Sequence, residues 1–356
     1  MRLTRQGDDP ESHATDAGAV RRTSRTRLRA SIAAAVVVVF ARAVAPIDGD
    51  GTTPAPATLF AVGDIMFRAT ADAAQATGQL MERMLDETPN SRGITLGDNC
   101  NDNGSEECYD RFDQSSWGRL RSVLFPVPGN HDYQESLITR SVPHYYLYFP
   151  NAGPSELGYH AFDWGGWRVL ALNSEIMGHV ENDPVSARRR DEQLVWLERE
   201  LRLHARTQCV LAYFHRPPFS SGDFASPSWV MPIFRRLYKY GVDLYLTGHE
   251  HFFAYLPPLS PEGTVDHEYG VPGLIAGTGG AVLFPDPRSR SDPKDPKLRR
   301  TLKWARDGET LVANRLGVVR IDLGSQAYSW AFVPVDGAPS AVYPSGSGRC
   351  HPNPPG

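Results

Sequence analysis

The chain contains, at residues 125–133, the stretch Phe125-Pro126-Val127-Pro128-Gly129-Asn130-His131-Asp132-Tyr133. An apolar run that ends in glycine and then in polar side chains is typical of a buried strand entering a loop at the edge of an α/β sheet, where active sites lie. The Asn130 amide oxygen can bind a hard cation, and the neighbouring His131 can face the same ligand as a proton donor. Alone, residues 129–132 are equally typical of a turn with a solvated histidine.

Four other stretches share this pattern. They are residues 59–64 ending in Asp64, residues 93–99 containing Asp98, residues 209–215 ending in His215, and residues 242–251 ending in His249-Glu250-His251. Each run is short, rich in β-forming residues and bounded by glycine or proline, which suits strands buried on both faces. Five such strand ends would bring carboxylate, amide and imidazole groups to one rim, and packing alone does not explain that set.

Length and composition favour a large enzyme-sized domain. The 356 residues suit one large α/β domain with extensions, or two domains. A hydrophobic fraction of 41% is ample for a core. The net charge of −4 gives no basic field that would indicate nucleic acid or an anionic membrane surface as a partner.

The N-terminal extension, residues 1–45, has the composition of an export signal. Arginines at 21–29 precede an apolar run at 30–40 and small residues at 41–45, which is the order of a secretory signal peptide. The run is too short to span a bilayer comfortably, so we expect no stable membrane span. We predict a secreted or cell-envelope protein, with a linker at 46–57; a disordered basic arm or an uncleaved anchor is the alternative.

The four cysteines are Cys100, Cys108, Cys209 and Cys350. An even number in an exported protein indicates one or two disulfides, and four cysteines allow three complete pairings. Pairing Cys100 with Cys108 would close a short loop beside Asp98, and pairing Cys209 with Cys350 would tie the tail to a core strand. Free buried thiols are the alternative, and the spacing does not resemble a zinc knuckle.

Periodicity gives a coarse order of elements. Predicted helices are residues 69–85, 109–120, 188–206 and 229–240, and residues 159–164 and 167–173 form a predicted hairpin. The aromatic stretch 143–149 could roof a pocket, but core packing is favoured. Residues 274–277, 316–323 and 328–335 alternate like antiparallel strands and predict a second sheet packed on the first. Residues 285–307 are predicted to form a surface loop.

Taken in chain order, the motifs form a specific set. They are Asp64, Gly97-Asp98-Asn99, Gly129-Asn130-His131-Asp132, His215 and Gly248-His249-Glu250-His251. This set resembles the calcineurin-like metallophosphoesterases, and within them the purple-acid-phosphatase-like branch of secreted bacterial proteins. The resemblance implies an α/β fold, a four-layer αββα sandwich of two packed mixed β-sheets flanked by helices. It covers a domain at 58–335, followed by a tail at 336–356.

The resemblance also implies two divalent or trivalent metal ions, of iron, zinc or manganese. One ion would be bound by Asp64, Asp98 and His251, and the other by Asp98, Asn130, His215 and His249. Asp98 would bridge the two, since a shared carboxylate can hold a pair of cations while neutral imidazoles and an amide limit the net charge.

Catalytic roles follow from the same resemblance. A metal-bound hydroxide would attack phosphorus in line, and His131 would lie beside the metals to stabilise the phosphoryl oxygens or protonate the leaving group. Asp132 would hold the orientation of His131 or its loop. Arg216 could reach a phosphate oxygen, and a salt bridge at the strand end is an equal alternative. His144 and His179 are the other histidines to test for substrate contact.

Two positions depart from the family pattern at the first metal. Ordinary members carry histidine where this chain has Met66, and purple acid phosphatases carry tyrosine where it has Asn101. A thioether is too soft for an oxygen-rich site and a neutral amide binds weakly. We therefore expect Met66 to fill the core. We expect the first site to bind metal weakly, or to add water and the Asn101 oxygen to its shell.

The resulting prediction is a secreted, metal-dependent phosphatase acting on a phosphorylated small molecule as a phosphoric monoester hydrolase. A phosphodiesterase or nucleotide hydrolase is one alternative, because the same metals serve both reactions. The other alternative is a degenerate member that binds phosphate without turnover, and Met66 and Asn101 motivate it.

Overall fold

Two β-sheets make up the centre of the protein. The structure is a computed structural model that describes residues 57–133, 142–154, 156–178, 184–205, 207–222, 227–284, 308–337 and 342–351. All of these belong to one compact unit, Thr53–Gly356. The predicted signal peptide, the linker before residue 57, His179 and the predicted loop 285–307 lie outside the described residues, and the predicted domain boundaries stay predictions.

The described secondary structure alternates strands and helices. The strands are β1 (Ala57–Val62), β2 (Ser91–Leu96), β3 (Leu124–Val127), β4 (His160–Trp164), β5 (Trp167–Ala171), β6 (Val210–Tyr213), β7 (Leu244–Thr247), β8 (Phe253–Leu259), β9 (Val271–Ala276), β10 (Thr310–Val312), β11 (Gly317–Leu323), β12 (Ala327–Pro334) and β13 (Ser345–Arg349). The α-helices are α1 (Ala71–Glu87), α2 (Glu106–Gln114), α3 (Pro143–Tyr148), α4 (Pro184–His204) and α5 (Met231–Lys239). Short 3-10 helices occupy Arg68–Thr70, Ser116–Leu120, Glu175–Met177 and Ser228–Val230.

The strands form two mixed sheets. The first has the order β13-β12-β11-β1-β2-β3, and the second has the order β10-β8-β9-β7-β6-β5-β4. In the first sheet β1, β2 and β3 are parallel, while β11 runs antiparallel to β1. In the second sheet β5, β6, β7 and β9 are parallel. The parallel strands place their carboxyl ends at one edge of each sheet.

Side-chain alternation along the strands separates an inner core from two outer ones. On β1, Leu59 and Ala61 belong to a cluster between the sheets, whereas Phe60 and Val62 pack with α1 and α2. On β6, Leu211 and Tyr213 face the same inner cluster, and their neighbours pack with α4 and α5. The period of two therefore buries both faces of each sheet. This confirms the predicted αββα sandwich.

The prediction for the C-terminal strands was wrong in one respect. Strands β11 and β12 do not form a second sheet; they extend the first sheet beside β1. The second sheet instead contains β6 and β7, which precede His215 and His249. Alternation identifies a half-buried antiparallel strand but not its partner. The five strand ends therefore come from the edges of two sheets, not from one.

The predicted helices and the hairpin are present, with shifted ends. The predicted helix 109–120 divides at Ser115, whose side chain caps the following 3-10 helix by accepting from the backbone N–H of Trp117. Trp117 is fully buried and donates its indole N–H to the Ala74 carbonyl at 2.8 Å. The aromatic stretch forms α3, and Tyr145 and Phe149 lie in the core as expected.

Both proposed disulfides are present. Cys100 is bonded to Cys108 with a Cα–Cα distance of 5.8 Å, and Cys209 is bonded to Cys350 with a Cα–Cα distance of 5.6 Å. The second bond fastens the residue after β13 to the residue before β6. Among the residues that the structure describes, no helix combines the length and apolar character needed to cross a membrane.

Candidate metal centre

The candidate site lies where β1, β2, β3, β6 and β7 end. Three of the residues that follow these strands, Asp64, Asp98 and His249, have φ of 60°, 48° and 70°. Positive φ is uncommon for residues other than glycine and is concentrated at functional sites. The chain therefore turns sharply at each strand end, and these turns bring the polar side chains together.

Three candidate ligands converge on the Nε2 atom of a fourth, His215. The Asn130 Oδ1 lies 3.1 Å from it, the His249 Nδ1 lies 3.2 Å from it and the Asp98 Oδ2 lies 3.3 Å from it. Three of these residues, Asp98, His215 and His249, meet the spacing of a metal-binding group. All three side chains are buried. The structure thus brings together the residues predicted for the second metal.

The remaining predicted ligands lie beside this group. The Nε2 of His251 is 3.3 Å from Oδ1 of Asp64, and Oδ2 of Asp64 accepts the backbone N–H of His249 at 2.8 Å. Asp64 is therefore linked directly to the residue that faces the second metal position. The pair predicted for the first metal is adjacent to the group predicted for the second.

Backbone carbonyls fix two of the imidazole rings. The Nδ1–H of His215 donates to the Leu96 carbonyl at 2.8 Å, and the Nδ1–H of His251 donates to the Val282 carbonyl at 2.6 Å. Each bond places a proton on Nδ1 and turns Nε2 towards the carboxylates. Such bonds commonly orient histidines that bind metals.

Two glycines leave room for these side chains. A Cβ atom at Gly129 would lie 2.2 Å from Oδ1 of Asp98, and a Cβ atom at Gly97 would lie 2.5 Å from Nδ1 of His215. Gly97 also has φ of +86°, which other residues rarely adopt. Both glycines are therefore required by close approach to candidate ligands.

The donor set fits a pair of cations. Oδ1 of Asp64 is buried and receives no hydrogen bond from the described residues, although Nε2 of His251 lies 3.3 Å from it. Buried oxygens normally have a partner. Carboxylates, an amide oxygen and imidazoles are the ligands that first-row divalent metals take. A cation between these atoms would satisfy each of them.

Charge within the site is balanced by close pairing. Burial acts to raise the pKa of Asp98, but the charge and hydrogen bond of His215 hold it well below its usual range. Burial acts to lower the pKa of His215, yet Asp98 raises it to about 9. Burial and the neighbouring His215 hold the pKa of His249 well below its ordinary value. A bound cation would replace the proton of His215 as the counter-charge of Asp98.

His131 and Asp132 occupy different surroundings. The backbone N–H of His131 donates to Oδ1 of Asp98 at 2.8 Å, and its Nδ1 lies 3.3 Å from the Asp102 carbonyl. The His131 side chain is 35% exposed, with Nε2 4.0 Å from Oδ2 of Asp98. Asp132 is buried and accepts hydrogen bonds from Asn99, Cys100, Tyr109 and Gly129. Asp132 therefore ties the loops together, while Asp102 contacts the His131 ring.

The two departures from the family pattern differ in position. Met66 is buried in the cluster with α1 and α2, as expected for a core residue. Asn101 is also buried, but its Nδ2 donates to Oδ2 of Asp98 at 3.0 Å, so its side chain faces the centre. Its role as a weak ligand stays a prediction.

Arg216, His144 and His179 are the three residues predicted for substrate contact. Of the two alternatives predicted for Arg216, a phosphate contact or a salt bridge at the strand end, the structure contains the salt bridge. The Nε of Arg216 lies 3.0 Å and 3.1 Å from the two carboxylate oxygens of Glu175. Its Nη1 also lies 2.9 Å from Nε2 of His249. His144 lies half-buried on α3, and His179 is outside the described residues.

Sequence reasoning missed several supporting groups. Glu175 follows β5 in the order Leu172-Asn173-Ser174-Glu175, an apolar run ending in polar residues like the other five. That stretch was assigned only to a hairpin, although its signal was the same. The carbonyls of Leu96 and Val282 leave no such signal, because any residue supplies one.

These features define a class of protein: an αββα sandwich with carboxylate, amide and imidazole ligands at the edges of both sheets. A sequence profile described as calcineurin-like phosphoesterase matches residues 57–253, more than half of the chain. The chain therefore belongs to the calcineurin-like phosphoesterase family, whose members are phosphoester hydrolases that use divalent metals. The predicted family is confirmed.

Two curated proteins are similar to parts of this chain. An acid phosphatase of Aspergillus ficuum is 38% identical over 101 residues, which make up 28% of this chain and 16% of that protein. An uncharacterized protein of Mycobacterium tuberculosis is 27% identical over 233 residues, 54% of this chain and 43% of that protein. The chain thus spans less than half the length of these curated relatives.

A solved structure shares the fold. The purple acid phosphatase PPD1 from yellow lupin (Lupinus luteus) seeds superposes with a TM-score of 0.62 at 16% sequence identity. The match covers 82% of this chain and 53% of the lupin chain. At this identity the likeness concerns the fold, and it agrees with the two-sheet architecture described above.

Proposed function

We propose that this protein is a metal-dependent phosphatase that hydrolyses phosphomonoesters outside the cytoplasm. The observation that carries the proposal is the convergence of Asp98, Asn130 and His249 on Nε2 of His215, at 3.1 to 3.3 Å. A buried cluster of this composition serves cation binding better than it serves packing, because each polar group costs free energy to bury. Family membership supplies the class of reaction.

The residues that would hold the ions are those predicted from sequence. They are Asp64, Asp98 and His251 for one ion, and Asp98, Asn130, His215 and His249 for the other. When bound, the ions supply Lewis-acid polarisation of the phosphoryl oxygens and lower the pKa of water.

His131 is the residue we assign to the phosphoryl group and the leaving oxygen. Its ring is the exposed member of the cluster, with Nδ1 3.3 Å from the Asp102 carbonyl and Nε2 4.0 Å from Oδ2 of Asp98. The backbone bond to Asp98 fixes the distance between the ring and the centre. From this position the imidazolium form of His131, which carries a proton on both nitrogens, can donate Nε2–H to a phosphoryl oxygen or transfer that proton to the departing alkoxide.

Asp132 is assigned a positioning role. It accepts from the backbone N–H of Gly129 at 2.8 Å and of Cys100 at 3.0 Å, on the two loops that carry Asn130 and Asp98. Holding both loops on one carboxylate keeps His131 at a fixed distance from the ligands, and preorganisation of this kind supports catalysis.

Three observations support the finer parts of the proposal. Similarity to an acid phosphatase over 101 residues supports monoester substrates. The disulfides Cys100–Cys108 and Cys209–Cys350 support an oxidising compartment, because structural disulfides are rare in the cytosol. The composition of residues 1–45 supports export.

Metal analysis and paired substrates test the proposal. We expect the purified full-length chain to hold two metals and to cleave 4-nitrophenyl phosphate faster than bis(4-nitrophenyl) phosphate. His215→Ala and Asn130→Ala should each lower kcat/KM by at least about 100-fold, the scale of losing a group that stabilises the transition state. His267→Ala, at an exposed loop position, is the matched control and should keep full activity.

Other outcomes would assign a different function. Faster cleavage of the diester would make the protein a phosphodiesterase. One metal or none, without turnover after supplementation with manganese, zinc or iron, would make it a phosphate-binding member that has lost catalysis.

A further inference from the structure

A second group of potential metal ligands lies at the ends of β6 and β7 that are remote from the candidate centre. Cys209 precedes β6 and Asp243 precedes β7, whereas His215 and His249 follow these strands. At about 3.3 Å per residue of extended chain, Cys209 lies about 20 Å from His215. The two groups of ligands are therefore separate.

The atoms of this second group have the spacing of metal ligands. The Sγ atoms of Cys209 and Cys350 and a carboxylate oxygen of Asp243 all lie within 4.8 Å of one another. Nδ1 of His351 lies 3.3 Å from Oδ1 of Asp243. In a tetrahedral zinc site, with bonds of about 2.0 Å to nitrogen and oxygen and about 2.3 Å to sulfur, neighbouring ligand atoms lie about 3.3 to 3.8 Å apart. The spacing thus suits Zn²⁺ with two sulfur ligands, one oxygen ligand and one nitrogen ligand.

Asp243 is fixed in place and has no lysine or arginine partner. It is 3% exposed, and its Oδ2 accepts the backbone N–H of Val210 at 2.7 Å. Its Oδ1 accepts the backbone N–H of His351, and no lysine or arginine in the described ranges lies within salt-bridge distance of it. A buried carboxylate without a permanent positive neighbour costs free energy. A divalent cation at this position would supply the missing charge.

The two sulfur atoms are bonded to each other, and a groove leads to their bond. The disulfide lines a groove of about 900 Å³ together with Gly166, Gln208 and Gln326. Cys350 is the partly exposed member of the pair. A thiolate can therefore approach the Cys350 sulfur through this groove.

Reduction by a dithiol would free both sulfur ligands. One thiolate of the dithiol attacks the Cys350 sulfur and expels the Cys209 thiolate, and the second thiolate then expels the Cys350 thiolate as the dithiol closes to a cyclic disulfide. Two electrons pass from the dithiol to the protein, and its two protons pass to the freed thiolates. Zn²⁺ binding releases these protons to solvent, because the thiolate is the form that binds metal.

Other contacts hold the two cysteines when their bond opens. The backbone N–H of Cys350 donates to the Gln326 carbonyl at 3.0 Å, next to the paired strands β12 and β13. The backbone carbonyl of Cys209 accepts the N–H of Arg168 at 2.9 Å. Because neither contact depends on the disulfide, both sulfur atoms stay near Asp243 in the reduced chain.

We infer that the reduced form of the protein binds Zn²⁺ through Cys209, Asp243, Cys350 and His351, and that this ion replaces the disulfide in fastening the C-terminal strand. The ligands come from three distant segments, so no spacing of cysteine and histidine in the sequence indicates the site. The inference is independent of the proposed function, since none of the four residues belongs to the candidate metal centre. A chain that lacks the disulfide thereby keeps β13 attached to the core.

Cobalt substitution tests this site, because thiolate-to-cobalt charge-transfer absorption requires a sulfur ligand and the candidate metal centre has none. The test uses the full chain with Cys100→Ala and Cys108→Ala, so that Cys209 and Cys350 are the only thiols after reduction. Dithiothreitol reduces the protein and is removed under argon, and Co²⁺ and then Zn²⁺ are added. We expect the absorption in the reduced form and not in the oxidised form of the same chain, and we expect Zn²⁺ to abolish it.

Two ligand variants of this chain distinguish a built site from two free thiols. Loss of a group that only supports a metal ligand costs about 10- to 100-fold in affinity. Asp243→Asn and His351→Ala remove ligands themselves, so each should raise the Kd of the reduced form for Co²⁺ by at least about 100-fold. His267→Ala, at an exposed loop position, should leave this Kd unchanged. Near-ultraviolet circular dichroism shows whether each reduced chain is folded.

Three results would overturn the inference. An equal Kd in the ligand variants and the parent chain would assign the metal to the thiols alone. A folded reduced chain without the absorption would rule out the site, and so would an unfolded reduced chain that Zn²⁺ fails to restore to its native circular dichroism. Hydrolysis of 4-nitrophenyl phosphate by the oxidised wild type tests the proposed function separately, because its disulfides are intact.

Discussion

The Nδ1–H of His215 donates to the backbone carbonyl of Leu96 at 2.8 Å, and this bond connects the two sheets at the candidate centre. His215 follows β6 of the second sheet, whereas Leu96 is the last residue of β2 in the first. The bond sets the direction of the imidazole ring that Asp98, Asn130 and His249 surround. The centre is therefore complete only when the sheets are packed together.

A side chain that displaces the His215 ring from its bond to the Leu96 carbonyl should weaken metal binding. In Gly97→Ala the new Cβ would lie 2.5 Å from Nδ1 of His215, so the ring must shift and the Kd for Mn²⁺ should rise by at least about tenfold. Gly337 also has positive φ, at +69°, but has nothing within 4 Å of its added Cβ. Gly337→Ala is thus the matched control: both variants should lose about 1 kcal/mol of stability to backbone strain, and the control should keep its metal affinity. Equal metal affinities in the two variants would contradict the role of the His215 bond.

The two departures from the family pattern should respond differently to substitution. Asn101 faces Asp98, so Asn101→Asp adds a carboxylate to the centre and should tighten Mn²⁺ binding by at least about tenfold. In the absence of added metal, repulsion between the two carboxylates should lower the stability of the variant. Met66→His places an imidazole among apolar side chains instead and should cost about 2 kcal/mol of stability without improving metal affinity. Competition with a chelating dye and urea unfolding measure these effects. Tighter metal binding by Met66→His would place residue 66 at the centre after all.

The disulfides should contribute unequally to stability and to the site. Removal of Cys209–Cys350 opens a loop with a sequence separation of 141, and removal of Cys100–Cys108 opens one with a separation of 8. From chain entropy, the paired alanine substitutions should cost about 5 and about 2.5 kcal/mol respectively. Metal affinity should fall more on removal of Cys100–Cys108 than on removal of Cys209–Cys350. The reason is that Cys100 adjoins Asn101 and its backbone N–H donates to Asp132, so opening this loop disturbs the centre. Urea unfolding of both double variants measures the loss of stability, and Mn²⁺ titration measures the loss of metal affinity. If one variant showed the larger loss in both measurements, the assignment of separate roles to the two disulfides would be wrong.

The sequence was sufficient to locate the candidate centre because each strand-end motif is local. Asp64, Asp98, Asn130 and His215 each follow an apolar run directly, so the position of the side chain is decided within a few residues. The family resemblance then supplied their grouping, which spacing alone does not contain. Met66 was also predicted correctly, since a thioether among apolar residues has one favourable environment.

Other features depend on contacts between distant segments. The placement of β11 and β12 in the first sheet follows from pairing with β1, some 260 residues earlier, which alternation does not encode. Glu175 and Arg216 are 41 residues apart and meet only after β5 and β6 align in parallel. The ring orientations depend on the carbonyls of Leu96 and Val282, and every residue type carries a carbonyl.

His160 should make the protein sensitive to acid. Neither of its ring nitrogens has a hydrogen-bond partner among the described residues, and burial lowers its pKa to about 4. In the unfolded chain the imidazole takes up a proton near pH 6.5, whereas the folded state resists it down to about pH 4. The free energy of unfolding should therefore fall as pH drops from about 6.5 to about 4, by up to about 3 kcal/mol from this residue. His160→Phe keeps an aromatic ring beside Phe162 and removes the titration, so the difference between variant and wild type should shift in favour of the variant over that range. Urea unfolding of both proteins at pH 7.5, 5.5 and 4.5 measures the difference, and a constant offset at all three values would show that His160 is not the source.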